Sequence, residues 1–76
     1  MTTYIYELYF YWMYEGTSHE TYFLGRPSVD QVVAHTQAAC LPLSAAQAEE
    51  LLRSESCAYK GDYWMLEKLE AVKGEG

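Results

Sequence analysis

The sequence predicts a small α+β domain: a three-stranded antiparallel sheet in order 2-1-3 with two short helices on one face, in the sequence ββααβ. Three observations carry this. Residues 4–14 form a dense aromatic run, Ser28 and Ser44 each open a helix-capping pattern, and a second aromatic and apolar run follows the turn at Lys60, Gly61 and Asp62.

The first run holds Tyr4, Tyr6, Tyr9, Phe10, Tyr11, Trp12 and Tyr14. Aromatic and β-branched residues suit a pleated surface, so the run reads as one long strand ending near Tyr14. Side chains alternate between faces along a strand. The even positions give Tyr4, Tyr6, Leu8, Phe10, Trp12 and Tyr14, and the odd ones Ile5, Glu7, Tyr9, Tyr11 and Met13. Neither face is polar. A single core uses one face, which leaves the other to meet a partner.

Residues 15–18 supply a polar turn containing Gly16, and residues 19–24 return as a second strand. With a two- or four-residue loop, Phe23 shares a face with Phe10 and Trp12; with an odd loop, Tyr22 and Leu24 do. Gly25, Arg26 and Pro27 break the strand. Ser28 and Gln31 form a capping box, in which each side chain satisfies a free amide at the helix start, and Asp30 complements the helix dipole. Val29, Val32, Val33, Thr36 and Cys40 follow with helical spacing as an apolar stripe, and Pro42 stops the helix. Ser44 and Gln47 are a second capping box, opening a helix with Ala48, Leu51 and Leu52 inward and Glu49, Glu50 and Arg53 outward.

Residues 63–72 suit either element. Tyr63, Trp64 and the preceding turn favour strand; Leu66, Glu67, Lys68 and Ala71 favour helix. Strand is the expectation. A right-handed crossover then places it beside the first strand, with every neighbouring pair antiparallel. Residues 1–76 make one domain with a frayed tail at 73–76.

A chain of 76 residues hides only about 60% of the surface its unfolded form exposes. A core of this size rarely supplies more than about 3–5 kcal/mol, and an enzyme cleft would have to be cut from it. A net charge of −6, from eleven acidic against five basic residues, disfavours nucleic acid, whose phosphates require Lys and Arg. It suits solubility or attraction to a basic protein surface. The apolar stretch is too short, and too rich in Tyr and Glu, to cross a membrane, and no basic segment precedes it; the chain reads as cytoplasmic. Cys40 and Cys57 are one candidate disulfide pair, and in that compartment two reduced thiols are the expectation.

His19, His35, Cys40 and Cys57 are suitable metal ligands by type, but no short paired spacing brings two of them together. No metal or cofactor is expected. Cys40 lies on the apolar stripe, where an inert buried thiol is the usual finding, and Cys57, ahead of the last strand, is open to exposure. With no phosphate loop, nucleophile elbow or paired carboxylates, no catalytic role is assigned. The expected partner-binding residues are Tyr9, Tyr11 and Met13 on the open aromatic face, because Tyr and Trp dominate binding hot spots. To these is added an acidic surface of Glu49, Glu50, Glu55, Glu67 and Glu70, with Glu75 beyond, spanning the second helix and the last strand.

In size, acidity and compact α+β layout, the chain resembles the small inhibitors encoded by phages and mobile elements, the anti-CRISPR proteins in particular. The resemblance is one of general shape over the whole chain, with no shared motif and no residue role carried across. It implies a non-catalytic blocker of DNA binding by a bacterial CRISPR surveillance complex, whose subunits would be the partners, in the cytoplasm of an infected or host bacterium. The alternative is a structural homodimer or adaptor pairing through the aromatic face of its sheet.

Overall fold

A computed structural model describes residues 4–70. The order is β1 (Tyr4–Trp12), β2 (Gly16–Leu24), α1 (Val29–Ala38), α2 (Ala45–Ser54), β3 (Ser56–Tyr59) and β4 (Asp62–Glu70). The α+β class and the antiparallel sheet stand, but the sheet has four strands in the order β2-β1-β4-β3. The strand expected at 63–72 is β4 up to Glu70, with residues 71–72 outside the described residues, and it does lie beside β1. The expected three-stranded sheet lacked β3, which is four residues long, too short to show a periodicity of its own. Lys60 and Gly61, read as a turn ahead of the last strand, are the two-residue connection of a β3–β4 hairpin. Both have positive φ, 49° and 90°, as a tight hairpin turn of matching twist requires.

Between β1 and β2 the loop is Met13–Glu15, since Trp12 pairs with Gly16. An odd loop on its own would turn Tyr22 and Leu24 toward the core. A bulge reverses this. Leu8 pairs with Thr21 but Phe10 with Ser18, so His19 and Glu20 together oppose the single residue Tyr9. His19 takes φ 55°, and the extra residue exchanges the two faces of β2 beyond it. Phe23 therefore packs against the core beside Tyr6, while Tyr22 and Leu24 are exposed. The His35 ring holds the bulge: its Nε2–H donates to the His19 carbonyl at 2.7 Å.

Both helices begin where their sequences specify. Ser28 Oγ accepts from the Gln31 amide at 3.1 Å and Gln31 Oε1 from the Ser28 amide at 2.9 Å; Ser44 and Gln47 repeat the pattern with the same distances. The end of α1 differs from expectation. The helix stops at Ala38, and Cys40 adopts φ 63° while its amide bonds to the Gln37 carbonyl and that of Leu41 to Thr36. This is a Schellman ending with cysteine at the position glycine usually holds. Cys40 thus leaves the apolar stripe and is exposed, whereas Cys57 points inward from β3 and is buried. Both thiols are free.

One core lies between the helices and the even-numbered residues of β1 and β4. Leu8, Phe10, Trp64 and Leu66 meet Val32, Leu43, Ala48 and Leu51 there. Phe10 stands edge-on to Trp12, Tyr59 and Trp64, with ring centroids 4.9–6.1 Å apart, a favoured aromatic arrangement. The Trp64 indole N–H donates to the Leu41 carbonyl at 3.0 Å, so its polar atom enters the core satisfied. Thr36 is the one buried polar residue among those described. Its hydroxyl donates to the Val33 carbonyl and accepts from the Leu43 amide at 3.1 Å, tying the α1–α2 connection to α1.

Thr36→Val keeps the shape but leaves the buried Leu43 amide without its acceptor. The expected loss is about 1–3 kcal/mol, read as a lower urea midpoint with unchanged slope.

Candidate functional site: the open face of the sheet

The odd-numbered residues of β1 and β4 face away from the helices, and no element among the described residues covers them. The cross-strand register arranges this face in rows. Leu24, Ile5 and Leu69 form one row and Tyr22, Glu7 and Glu67 the next. Tyr9, Met65 and Ser56 form a third, and Thr17, Tyr11, Tyr63 and Ala58 a fourth. Tyr11, Tyr63 and Tyr22 are 41%, 43% and 59% exposed, while Ile5, Tyr9, Met65 and Leu69 are partly covered by one another across the strands. Exposed apolar and aromatic rows thus lie on both sides of the Glu7 and Glu67 row, the kind of surface that marks an interaction site.

Electrostatics sets the middle rows apart. Glu7 and Glu67 stand directly opposite one another. Tyr22 donates its hydroxyl to Glu7 through a long bond of 3.4 Å. The Glu7 carboxylate is the main reason the Tyr22 phenol titrates above its usual range, with partial burial and Glu20 adding to it. For Tyr9 burial leads, followed by Glu67 and Glu7. Both phenols are thereby held protonated. Beside Tyr9, where β3 ends before β4 does, a shallow hollow of about 560 Å³ is lined by Glu55, Ser56, Met65 and Glu67. A second, of about 290 Å³, lies against Tyr11, Tyr63 and Met65.

The expected site residues fall into two groups. Tyr9, Tyr11 and Glu67 share the open face, and Glu55, in a left-handed conformation at the α2–β3 junction, borders it. Met13 lies just past β1 in the loop, its amide bonded to Asp62 Oδ1 at 3.0 Å and its side chain exposed at the end of the sheet. Glu49 and Glu50 are elsewhere. They sit on the solvent side of α2, and Glu50, bonded by Ser54 and Arg53, has its carboxyl held below the usual range. The acidic surface expected to span α2 and the last strand is therefore divided by the thickness of the domain, because Glu67 points away from the helix layer. Glu70 is described only as the last residue of β4, its backbone opposite Tyr4. Glu75 and the tail at 73–76 lie outside the described residues.

The sequence reading did not single out Glu7, Tyr22, Tyr63 or Met65. Parity identifies the last two, since Trp64 and Leu66 must face the core. Glu7 joins Glu67 only once the register between distant strands is known.

Among the described residues no group of three or more His, Cys, Asp and Glu is placed to hold a metal ion, and no helix is long and apolar enough to cross a membrane. Burial pushes the Cys57 thiol above its usual range, and the Glu50 charge pushes the same way. No family model matches the chain, and comparison with curated proteins and with solved structures finds no match.

Replacing Glu7 with Gln should bring the Tyr22 phenol back toward its ordinary value of 10.0, followed by tyrosine absorbance or side-chain NMR across pH. A phenol pKa raised by folding means the native state holds its proton more tightly than the unfolded chain. The matching stability is complete below pH 10.0, the unfolded value, and is lost as pH rises through the folded one.

Proposed function

We propose that this protein acts by contact and without catalysis, covering a surface of another protein with the open face of its sheet. The observation that carries the reading is the aromatic face of β1 and β4, on which no element among the described residues packs. Tyrosines suit such a role because they bring large contact area with few rotors to freeze. The cross-strand pairs on this face, Tyr11 with Tyr63 and Ile5 with Leu69, stabilise the sheet modestly, and they leave their outer surfaces free for a partner.

The finer reading is a stoichiometric inhibitor of the anti-CRISPR type, which binds a bacterial surveillance complex in the cytoplasm and blocks its access to DNA. It rests on the resemblance in size, acidity and α+β layout. The net charge of −6 supports it, since surfaces that hold nucleic acid are basic and attract acidic proteins. In this reading Tyr9, Tyr11, Tyr63 and Glu67 make the contact, with Met13 and Glu55 at its border. Glu49 and Glu50 contribute to the long-range field from the far side.

Tyr11→Ala combined with Tyr63→Ala tests it. With the tagged protein as bait in lysate from bacteria carrying CRISPR systems, the unaltered chain should retain surveillance-complex subunits. The variant should lose them, with affinity reduced by two or more kcal/mol if the pair is a hot spot, about thirtyfold, at nearly unchanged melting temperature. A variant that unfolds would mean the rings are structural, and equal retention would remove the face from the contact.

A further inference from the structure

A pair of carboxylates lies at the centre of the open face, and Glu20, bonded by the Thr17 hydroxyl and near Tyr22, adds a third acid on the β2 side. β1 and β4 are the two inner strands, and Glu7 opposes Glu67 one residue from the middle pair, Leu8 and Leu66. Like charges directly opposite on a sheet face destabilise the pairing, and a lysine or arginine nearby would relieve them. Among the described residues no lysine or arginine forms an ion pair with Glu7 or Glu67, although Lys68 borders the hollow beside Tyr9 and Glu67. Arg26 donates to the Leu52 carbonyl, Arg53 pairs with Glu50, Lys60 stands over the Tyr59 ring, and Lys68 over Tyr4 on the helix side of the sheet. Lys73 lies outside the described residues. The centre of the face is therefore an apolar surface around two carboxylates that no described cation of the chain neutralises.

We propose that this face docks a basic segment of a partner protein, with an arginine of that segment received between the Glu7 and Glu67 carboxylates and laid against the Tyr9 ring. The proposal rests on the binding reading above and names the chemistry of the partner. Arginine fits better than lysine because its planar fork can bond to two carboxylates while its face stacks on an aromatic ring. Residues directly opposite on neighbouring strands have Cβ atoms about 4.5–5.5 Å apart, a span one guanidinium can bridge. The protonated phenols of Tyr9 and Tyr22 add no charge of their own, and Tyr22 orients Glu7 through its hydroxyl. The rows on either side, Ile5 with Leu69 and Tyr11 with Tyr63, would take apolar side chains flanking the arginine.

A second copy fits less well. Four strands of up to nine residues give a face of roughly 19 by 30 Å. Two such faces would bury of order 1,100 Å², at the small end of specific interfaces. Pairing them about a central twofold axis would also gather four carboxylates in the middle. Nucleic acid would meet the same charges with its phosphates and be repelled.

The test is an NMR titration of the isotope-labelled protein with a short arginine-rich peptide and with the same peptide carrying citrulline for arginine. Saturable shifts at Glu7, Tyr9, Tyr22 and Glu67 are expected. Binding should weaken about tenfold or more with the citrulline peptide and in the Glu7→Gln, Glu67→Gln double variant. A Glu49→Gln, Glu50→Gln variant, which removes the same charge from the far side and so lowers only the long-range attraction, should weaken binding far less than the Glu7 and Glu67 variant does. Shifts centred on α2, equal weakening in both double variants, or no binding at all would overturn the arginine seat. The two readings fail separately. Partner capture lost with Tyr11→Ala and Tyr63→Ala but indifferent to the Glu7 and Glu67 variant rejects the arginine seat alone, and capture indifferent to both rejects the binding face as well.

Discussion

The structure depends on a central strand with two apolar faces in a domain that has helices for only one of them. β1 is flanked by β2 and β4, so its backbone is paired on both sides except at the bulge opposite Tyr9, and its side chains must go up or down. The even face carries Leu8 and Phe10 into complete burial under the helices, and Trp64 and Leu66 of β4 join them by the same alternation. Everything on the odd face is then committed to the opposite side. No rotation of one side chain can hide Tyr11 or Tyr63, because parity along a strand is shared by every residue on it. An open aromatic surface is thus the geometric consequence of packing the core.

Several local devices hold this arrangement in register. The bulge at His19 and Glu20 brings Phe23 to the core side, and His35 fastens it from α1. The Schellman ending at Cys40 turns the chain from α1 toward α2, and the Thr36 hydroxyl catches the Leu43 amide there. The left-handed Glu55 redirects the chain from α2 into β3, where its carbonyl accepts from the Leu66 amide at 3.0 Å. Among the described residues four non-glycine residues, His19, Cys40, Glu55 and Lys60, take left-handed geometry, and each costs stability. The core offsets that cost with a dense aromatic centre around Phe10 and Trp64.

What the sequence discloses follows how local each signal is. Both capping boxes lie within four consecutive residues, and both helices begin where they indicate. The long strands show through composition, and β4 is a strand even though Leu66, Glu67 and Lys68 suit a helix, since pairing with β1 outweighs propensity. The bulge is invisible because it answers to packing against His35, which is far along the chain. β3 is too short to announce itself. The two cysteines exchange their expected environments, Cys40 because α1 ends before it and Cys57 because it belongs to that unannounced strand. The acidic surface divides for the same reason: Glu49 and Glu67 are assigned to opposite sides by sheet parity, which a list of charges does not carry.

The most direct test of this account is hydroxyl-radical footprinting of the free protein and of its complex with a retained partner. The account predicts that Tyr11, Tyr22, Tyr63 and Met65 react readily in the free protein while Phe10 and Trp64 are protected, and that binding suppresses the first group alone. Protection of Tyr11 and Tyr63 before any partner is added, or partner-induced protection confined to α1 and α2, would contradict it.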